Sequence, residues 1–431
     1  MKAAFYTLGC KVNQYETQAM RELFEKAGYE TVEFDAPADV YVINTCTVTQ
    51  MGDKKSRQMV SRAHAKSPNA KIVVVGCYAQ VAPEEVKALG GVWMVLGTKD
   101  RARVVELFEK SLEAEEGFSA VLPHERDDAF EDISAIHESR TRAHLKIQDG
   151  CDRYCTYCII PYARGPIRSR SLASMRAEME KLVEAGYLEV VLTGIHLMSY
   201  GRDFNDNTTL ADAIRLANGI EGIRRIRLGS LEPPMVNDAF ISAVKESQKV
   251  CRHFHLSMQS GSAGVLKRMN RRYTPDEYES CVLKLREAMP GCAVTTDVIA
   301  GFPGETEEEF NETEAFLQRV RLARIHVFPY SRRKGTKAAD MKEQVQQPVK
   351  AARAKQLITL GEALENAYLK TFLNTTQEVL FEETEGEYAC GYTDTYARVK
   401  ALGGETLLGR LFNVRVLTLE GGSLYGEVME V

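Results

Sequence analysis

At 431 residues the chain is too long for one ordinary core, and two or three domains are expected. Its 44% hydrophobic and 27% charged content is that of a globular protein, and no apolar run approaches the ~20 residues of a membrane-spanning helix, so no membrane association is expected. A net charge of −5 argues against a general DNA-coating protein, and no DNA partner is expected.

The opening stretch MKAAFYTLGC reads as a first strand, not a signal peptide. Without an export signal, the ten cysteines are expected to be metal ligands and buried thiols in a cytoplasmic protein. Up to about residue 110, short apolar strands (Ala3–Gly9, Val40–Thr45, Lys71–Gly76, Trp93–Gly97) alternate with amphipathic stretches such as Gln14–Gly28. This alternation predicts an α/β domain over 1–113, a doubly wound parallel sheet with helices on both faces. The acidic, aperiodic segments Glu113–Gly117 and His124–Asp132 read as a connection.

A second βα series follows, with strands at Ala143–Gly150, Leu188–Ile195, Ile223–Ser230, Phe254–Ser260, Val294–Phe302 and Arg324–Ser331. Six such units over 137–367 predict a partial (β/α)6 barrel, whose chemistry belongs at the strand C-termini. A helical stretch, Pro348–Lys370, leads to short alternating strands over 370–431 that suit a small antiparallel β-barrel.

Cys10, Cys46 and Cys77 each directly follow an apolar strand (YTLGC, VINTC, VVVGC). Ligands bind beyond the carboxyl ends of strands in open parallel sheets, so these three thiols are expected to converge. Thiolates select zinc, copper(I) or iron–sulfur clusters, and a single cysteine in such a place would read as a small buried hydrophobe. A second trio, Cys151, Cys155 and Cys158, lies in GCDRYCTYCIIPYARGPIRSR. Three thiolates leave a zinc site one ligand short, whereas a 4Fe–4S cube keeps one iron open. Cys251, Cys281, Cys292 and Cys390 show no ligand spacing and read as ordinary thiols.

The CxxxCxxC spacing with Tyr157 before its last cysteine resembles the signature of the radical S-adenosylmethionine superfamily. With the N-terminal cysteine domain and the C-terminal barrel, the layout over essentially the whole chain resembles the methylthiotransferase family, whose last module is called TRAM. TLGCKVNQYET and CDRYCTYCIIPYARGPIRSR are similar to the subgroup acting on N6-threonylcarbamoyladenosine at position 37 of tRNA. Relatives acting on isopentenyladenosine tend to carry Gln-Met-Asn after the first cysteine, and those acting on a ribosomal protein Pro-Lys-Asn; here the residues are Lys11, Val12 and Asn13.

The resemblance implies two 4Fe–4S clusters, one on Cys10, Cys46 and Cys77 and one on Cys151, Cys155 and Cys158. The second would bind S-adenosylmethionine and cleave it to a 5′-deoxyadenosyl radical. The first would deliver a sulfide that another S-adenosylmethionine has methylated. Replacing hydrogen on carbon 2 of adenine suits a radical, because that C–H bond is neither acidic nor open to polar attack. The resemblance also implies S-adenosylmethionine contacts from Tyr157, Thr193, Gly194, Ser230, Glu232, Gln259 and Asp297. Its partners would be a tRNA anticodon loop and an electron donor such as flavodoxin or ferredoxin.

Polar residues at strand ends often only cap the next helix, and Thr306–Glu309 has the form of a capping box. Arg164, Arg168 and Arg170 suit either internal ion pairs or RNA phosphate. For RNA binding, the final segment is unpromising, with five basic against ten acidic residues from Lys370 onward. The stretch from Arg319 to Lys355 instead carries eleven Lys/Arg against two acids, a local charge of +9, and a smaller basic cluster spans Lys267–Arg272. These are expected to carry the backbone contact. Competing readings are the same chemistry on isopentenyladenosine tRNA or a ribosomal protein, and an iron–sulfur RNA-binding redox sensor without turnover.

Overall fold

The computed structural model describes residues 1–136 and 141–429. The expected domain start at His137 and the last two residues of the expected final strand lie outside the described residues.

The N-terminal alternation forms a parallel sheet of β1 (Lys2–Thr7), β2 (Glu30–Val32), β3 (Val40–Thr45), β4 (Lys71–Gly76), β5 (Val92–Leu96) and β6 (Phe118–Ala120). The strand order is β2-β1-β3-β4-β5-β6. The edge strands β2 and β6 were not expected, because three residues are too few to show a period. β6 lies beyond residue 113, within the stretch read as a connection. The helices are α1 (Lys11–Lys26), α2 (Gln50–Lys66), α3 (Cys77–Val81), α4 (Pro83–Lys87) and α5 (Val104–Glu113). Phe24 of α1 and Phe108 of α5 cover one face against Val40, Val42 and Val73. Val60, Tyr78 and Val86 cover the other against Tyr41, Ile43 and Ile72. Apolar side chains on both faces are why β3 and β4 read as nearly continuous hydrophobic runs.

The second series gives six parallel strands with a short antiparallel addition: β7 (Arg142–Asp149), β8 (Arg168–Ser169), β9 (Glu189–Gly194), β10 (Arg225–Leu228), β11 (His253–His255), β12 (Ala293–Ala300) and β13 (Arg324–Pro329). They form two arcs, β10-β9-β7-β8 and β11-β12-β13. Parallel bridges Ile226–Val250 and Leu231–Leu256 join the arcs, so β7, β9, β10, β11, β12 and β13 run side by side in chain order as an open barrel. The helix Glu307–Val320 starts at the expected capping box of Thr306 and Glu309.

After the long helix Gln347–Lys370 come β14 (Thr376–Glu385), β15 (Tyr388–Thr393), β16 (Arg398–Leu402), β17 (Leu411–Glu420) and β18 (Ser423–Val428). They close in the order β14-β15-β16-β18-β17. The pairings are antiparallel except β16 with β18, which run parallel. The expectation of a purely antiparallel barrel is corrected at that seam: alternation shows a strand's faces but not its direction. Arginines of the central barrel hold this module. Arg225 donates to the carbonyls of Glu378 (2.6 Å) and Tyr392 (3.1 Å), and Arg227 to those of Thr393 (3.2 Å) and Asp394 (3.0 Å).

The sheet domain and central barrel meet through buried charge. Glu16 of α1, fully buried, receives Arg101 (2.5 Å), Arg164 (2.5 Å) and Lys146 (2.7 Å). Asp149 at the end of β7 takes Lys146 (2.6 Å), with Arg164 and Arg168 each at 3.5 Å. Burial opposes ionisation of Glu16, but Arg101, Arg164 and Lys146 outweigh it and hold the carboxyl down at about 2.

Removing one member of such a group strands the others in low dielectric, so Glu16→Gln is expected to cost about 3–5 kcal/mol, read as a lower midpoint in urea unfolding. Because the folded-state pKa is depressed, the Glu16 contribution is full above its unfolded value of about 4.3 and is lost as pH falls through about 2. Urea midpoints measured from pH 6 downward should therefore fall less steeply in Glu16→Gln than in the wild type.

Candidate functional site

Cys10, Cys46 and Cys77 follow the C-terminal ends of β1, β3 and β4, three adjacent strands of one parallel sheet. Neighbouring strands lie about 4.8 Å apart, so thirty-residue gaps in sequence become lateral neighbours in space. The electrostatics agree: Cys77 is influenced by both Cys46 and Cys10. Gly9 makes the approach possible, since with φ +107° a Cβ there would stand 2.9 Å from the Cys46 Cβ and 3.1 Å from its Sγ. Asn13 ties the loops, its amide donating to the carbonyls of Leu8 (2.7 Å) and Thr45 (3.0 Å).

The second trio lies in the loop after β7. Gly150, at φ +73°, passes the strand under Pro166, whose carbonyl oxygen a Cβ would meet at 1.7 Å. The loop is pinned by Cys151 N–H to the Gly165 carbonyl (3.0 Å) and Thr156 N–H to the Met269 carbonyl (3.0 Å). Cys158 is influenced by Cys155 and Cys151. Arg271 donates to Cys155 Sγ at 3.4 Å. Burial pushes the Cys77, Cys151 and Cys158 thiols up to about 12.

A side chain from the segment after the second trio reaches the first. Arg164, six residues past Cys158, donates from Nε to Cys77 Sγ (3.2 Å) and from Nη2 to Asn13 Oδ1 (2.6 Å) while gripping Glu16. The segment after β13 is a second tie. Arg333 donates to the Thr47 carbonyl (2.9 Å) beside Cys46 and pairs with Asp53 (2.7 Å), and Ala338 N–H donates to the Thr156 carbonyl (2.8 Å) inside the CxxxCxxC loop.

Cys10, Lys11, Thr193, Gly194, Ser230 and Asp297 share an open cavity of about 1260 Å³ with residues of the C-terminal barrel. Four of the seven expected cofactor contacts are thus brought together. Asp297 pairs with His255 (3.2 Å) there. Tyr157, Glu232 and Gln259 do not line this space. Tyr157 packs edge-on to Phe302. Glu232 sits beside the second trio and is held by Arg153 (2.7 Å), His196 (2.8 Å) and Arg271 (3.2 Å). Gln259 has φ +70° and is bridged by its backbone to β12.

Sequence reasoning missed Arg271 and Glu16, and named Arg164 only as one of three arginines. Glu16 meets Lys146 and Arg164, and Arg271 meets Cys155, across more than a hundred residues, and no local pattern marks such pairs. The other thiols are Cys251, Cys292 and Cys390, buried, and Cys281, half-buried.

Among the described residues no three His, Cys, Asp or Glu side chains are grouped to hold a metal ion. Three converging thiols with a guanidinium aimed at one sulfur, repeated twice, fit a cluster ligand set.

Residues 2–97 match the family model described as uncharacterized protein family UPF0004, and residues 145–317 match the radical SAM superfamily. The fold is also that of TsrM, a radical S-adenosylmethionine methyltransferase of Kitasatospora setae, with a TM-score of 0.56 over 76% of this chain and 74% of that one at 16% identity. Fold and cysteine loop together define a radical SAM enzyme, a class that uses a 4Fe–4S cluster and S-adenosylmethionine.

The threonylcarbamoyladenosine tRNA methylthiotransferase MtaB of Bacillus subtilis is 45% identical, covering 98% of this chain and 95% of the relative. The MtaB of Aquifex aeolicus is 41% identical over 84% and 88%. The tRNA-2-methylthio-N(6)-dimethylallyladenosine synthase of Clostridium tetani is 34% identical over 99% and 96%. This chain belongs to the radical SAM tRNA methylthiotransferase family.

Gly9→Ala would press its methyl group against Cys46. The expected outcome is faster anaerobic alkylation of buried Cys77 in the metal-free protein, with the rate at distant Cys251 unchanged, as mapped by peptide mass spectrometry.

Proposed function

We propose that the protein methylthiolates carbon 2 of N6-threonylcarbamoyladenosine at position 37 of tRNA, with one 4Fe–4S cluster on Cys10, Cys46 and Cys77 and another on Cys151, Cys155 and Cys158. In this reading residues 1–113 are the methylthiotransferase domain, 137–367 the radical core and 370–431 the TRAM module. The observation that carries it is that Arg164, on the helix just after the second trio, reaches Cys77 of the first. The substrate assignment is supported by kinship to relatives named for threonylcarbamoyladenosine. When bound, the clusters and two molecules of S-adenosylmethionine supply hydrogen abstraction by a carbon radical and the methylated sulfur. The electron donor would be flavodoxin or ferredoxin.

The chain's own residues do the rest. Arg164 and Arg271 place positive charge against the sulfurs of Cys77 and Cys155, the atoms proposed to hold the clusters. Each guanidinium is also paired with a carboxylate, Arg164 with Glu16 (2.5 Å) and Arg271 with Glu232 (3.2 Å). Arg153, His196 and Arg271 hold Glu232 in place beside the second trio. Thr193, Gly194, Ser230 and Asp297 would face S-adenosylmethionine, with Tyr157, Glu232 and Gln259 nearer the cluster loop.

For RNA, the basic stretch is only partly available. Arg319 pairs with Glu279, Arg324 with Glu365, Arg333 with Asp53 and Arg353 with Glu305, so internal bonds take up much of its excess. Arg164, Arg168 and Arg170 are buried and paired rather than offered to phosphate. Lys334 and Lys337 are exposed on the segment that touches both cysteine loops, and Lys342 is exposed just beyond it. Phosphates flanking an unstacked base would meet them there.

A deletion strain should accumulate unthiolated threonylcarbamoyladenosine in its tRNA nucleosides; unchanged 2-methylthio levels by mass spectrometry would reject the assignment. Anaerobically reconstituted wild type should hold about eight irons, and the Cys10→Ala/Cys46→Ala/Cys77→Ala variant about four. Replacing Lys334, Lys337 and Lys342 with Ala is expected to weaken tRNA binding and to reduce the salt slope by up to about 0.7 per lost phosphate contact, measured by filter binding across a salt series.

A further inference from the structure

Three lysine or arginine side chains line the large cavity: Lys11, Arg324 and Arg398. Arg324 pairs with Glu365 (3.6 Å), and Arg398 with Glu383 (3.0 Å) and Glu385. Lys11 makes no ion pair or hydrogen bond through its ammonium group among the described residues. It opens α1 directly after Cys10, whose exposed thiol lines the same space. Its charge is felt at His253 and Tyr396 across the cavity.

The opposite wall also has an unused polar group. His253 is nine-tenths buried, and while its Nε2 is within 3.3 Å of Thr295 Oγ1, its Nδ1 has no hydrogen-bond partner. Tyr392 and Tyr396, from the C-terminal barrel, stack at 4.8 Å with their planes 19° apart, and Tyr396 holds a left-handed φ of +69°. His253, Tyr392 and Tyr396 line the same cavity as Lys11.

We infer that Lys11 is a specificity-determining residue that pairs with the carboxylate of the threonylcarbamoyl group, in a cavity walled by His253, Tyr392 and Tyr396. The inference rests on the proposed substrate. The threonyl part of that nucleoside carries a free carboxylate, while a dimethylallyl group carries none. An ammonium that is desolvated without gaining a counter-charge penalises the apolar substituent, so one residue both attracts the right base and rejects the wrong one. Geometry adds a positioning effect. In adenine, carbon 2 and the N6-bearing carbon flank the same ring nitrogen, so a hold on the N6 substituent at Lys11 keeps carbon 2 near the segment that carries Cys10. The C-terminal barrel, too acidic to grip phosphate, acquires a role as part of the base pocket.

The test is fluorescence anisotropy with full-length reconstituted enzyme and an anticodon stem-loop carrying threonylcarbamoyladenosine at position 37, either as the free acid or as its methyl ester. Wild type is expected to bind the acid roughly ten- to hundredfold tighter, the range of one charge-assisted hydrogen bond. Lys11→Met should bind both RNAs with the wild-type affinity for the ester, and Lys11→Arg should keep the preference. Wild type that does not distinguish acid from ester, or Lys11→Met that still does, overturns the inference. Methylthiolation of the acid RNA by wild type is scored separately. Failure there removes the proposed reaction, while the acid-against-ester ratio still reports on Lys11.

Discussion

The arrangement depends on a buried knot of charge. Glu16 and Asp149 lie between Arg101, Lys146, Arg164 and Arg168, drawn from α1 and the turn after β5 in one domain and from β7, the segment after the cysteine loop and β8 in the next. A buried group of this kind adds little net stability over an apolar packing of equal volume, because each charge has lost its hydration. Its effect is directional. Any slippage between the domains would leave a charge unpaired, so the two cysteine trios are held in one relative placement. Arg164 is the point where that constraint becomes chemical, since the same guanidinium that grips Glu16 reaches Cys77.

A reaction that joins two separately supplied parts needs its reagents at fixed distance and orientation before the substrate arrives. Rigid strands serve this better than loops, and each trio is anchored accordingly: Cys10, Cys46 and Cys77 at the ends of adjacent strands, and the CxxxCxxC loop by backbone bonds to Gly165 and Met269. The segment carrying Arg333 and Ala338 adds a tie across the gap, leaving Lys334 and Lys337 at its rim. Within the basic stretch, Lys334 and Lys337 are exposed beside the site, while Arg333 and Arg353 are spent on internal carboxylates.

The C-terminal barrel illustrates how a module can work against its composition. With ten acids it is a poor phosphate binder, yet arginines at the starts of the central strands clamp its Tyr392–Asp394 edge by backbone carbonyls. That docking carries Tyr392 and Tyr396 into the wall of the central cavity. Its contribution is surface shape and aromatic area.

The order of the βα units, the three-part layout and both cysteine trios were legible in the sequence, because hydrophobic period and the position of a cysteine after a strand are local properties. The short edges β2 and β6 and the parallel β16–β18 seam were not, since three residues show no period and alternation is blind to direction. The cofactor contacts were legible in part: Thr193, Gly194, Ser230 and Asp297 share one cavity, while Tyr157, Glu232 and Gln259 point to other neighbours. Arginines 164, 168 and 170 could be seen, but whether they met carboxylate or phosphate could not. The sequence by itself determined which atoms can bind metal and where strands place them. Only the tertiary structure decided which charges are spent on one another and which, like Lys11, find no ion pair among the described residues, because the partner of a buried charge is chosen by folding across domains and not by its neighbours in the chain.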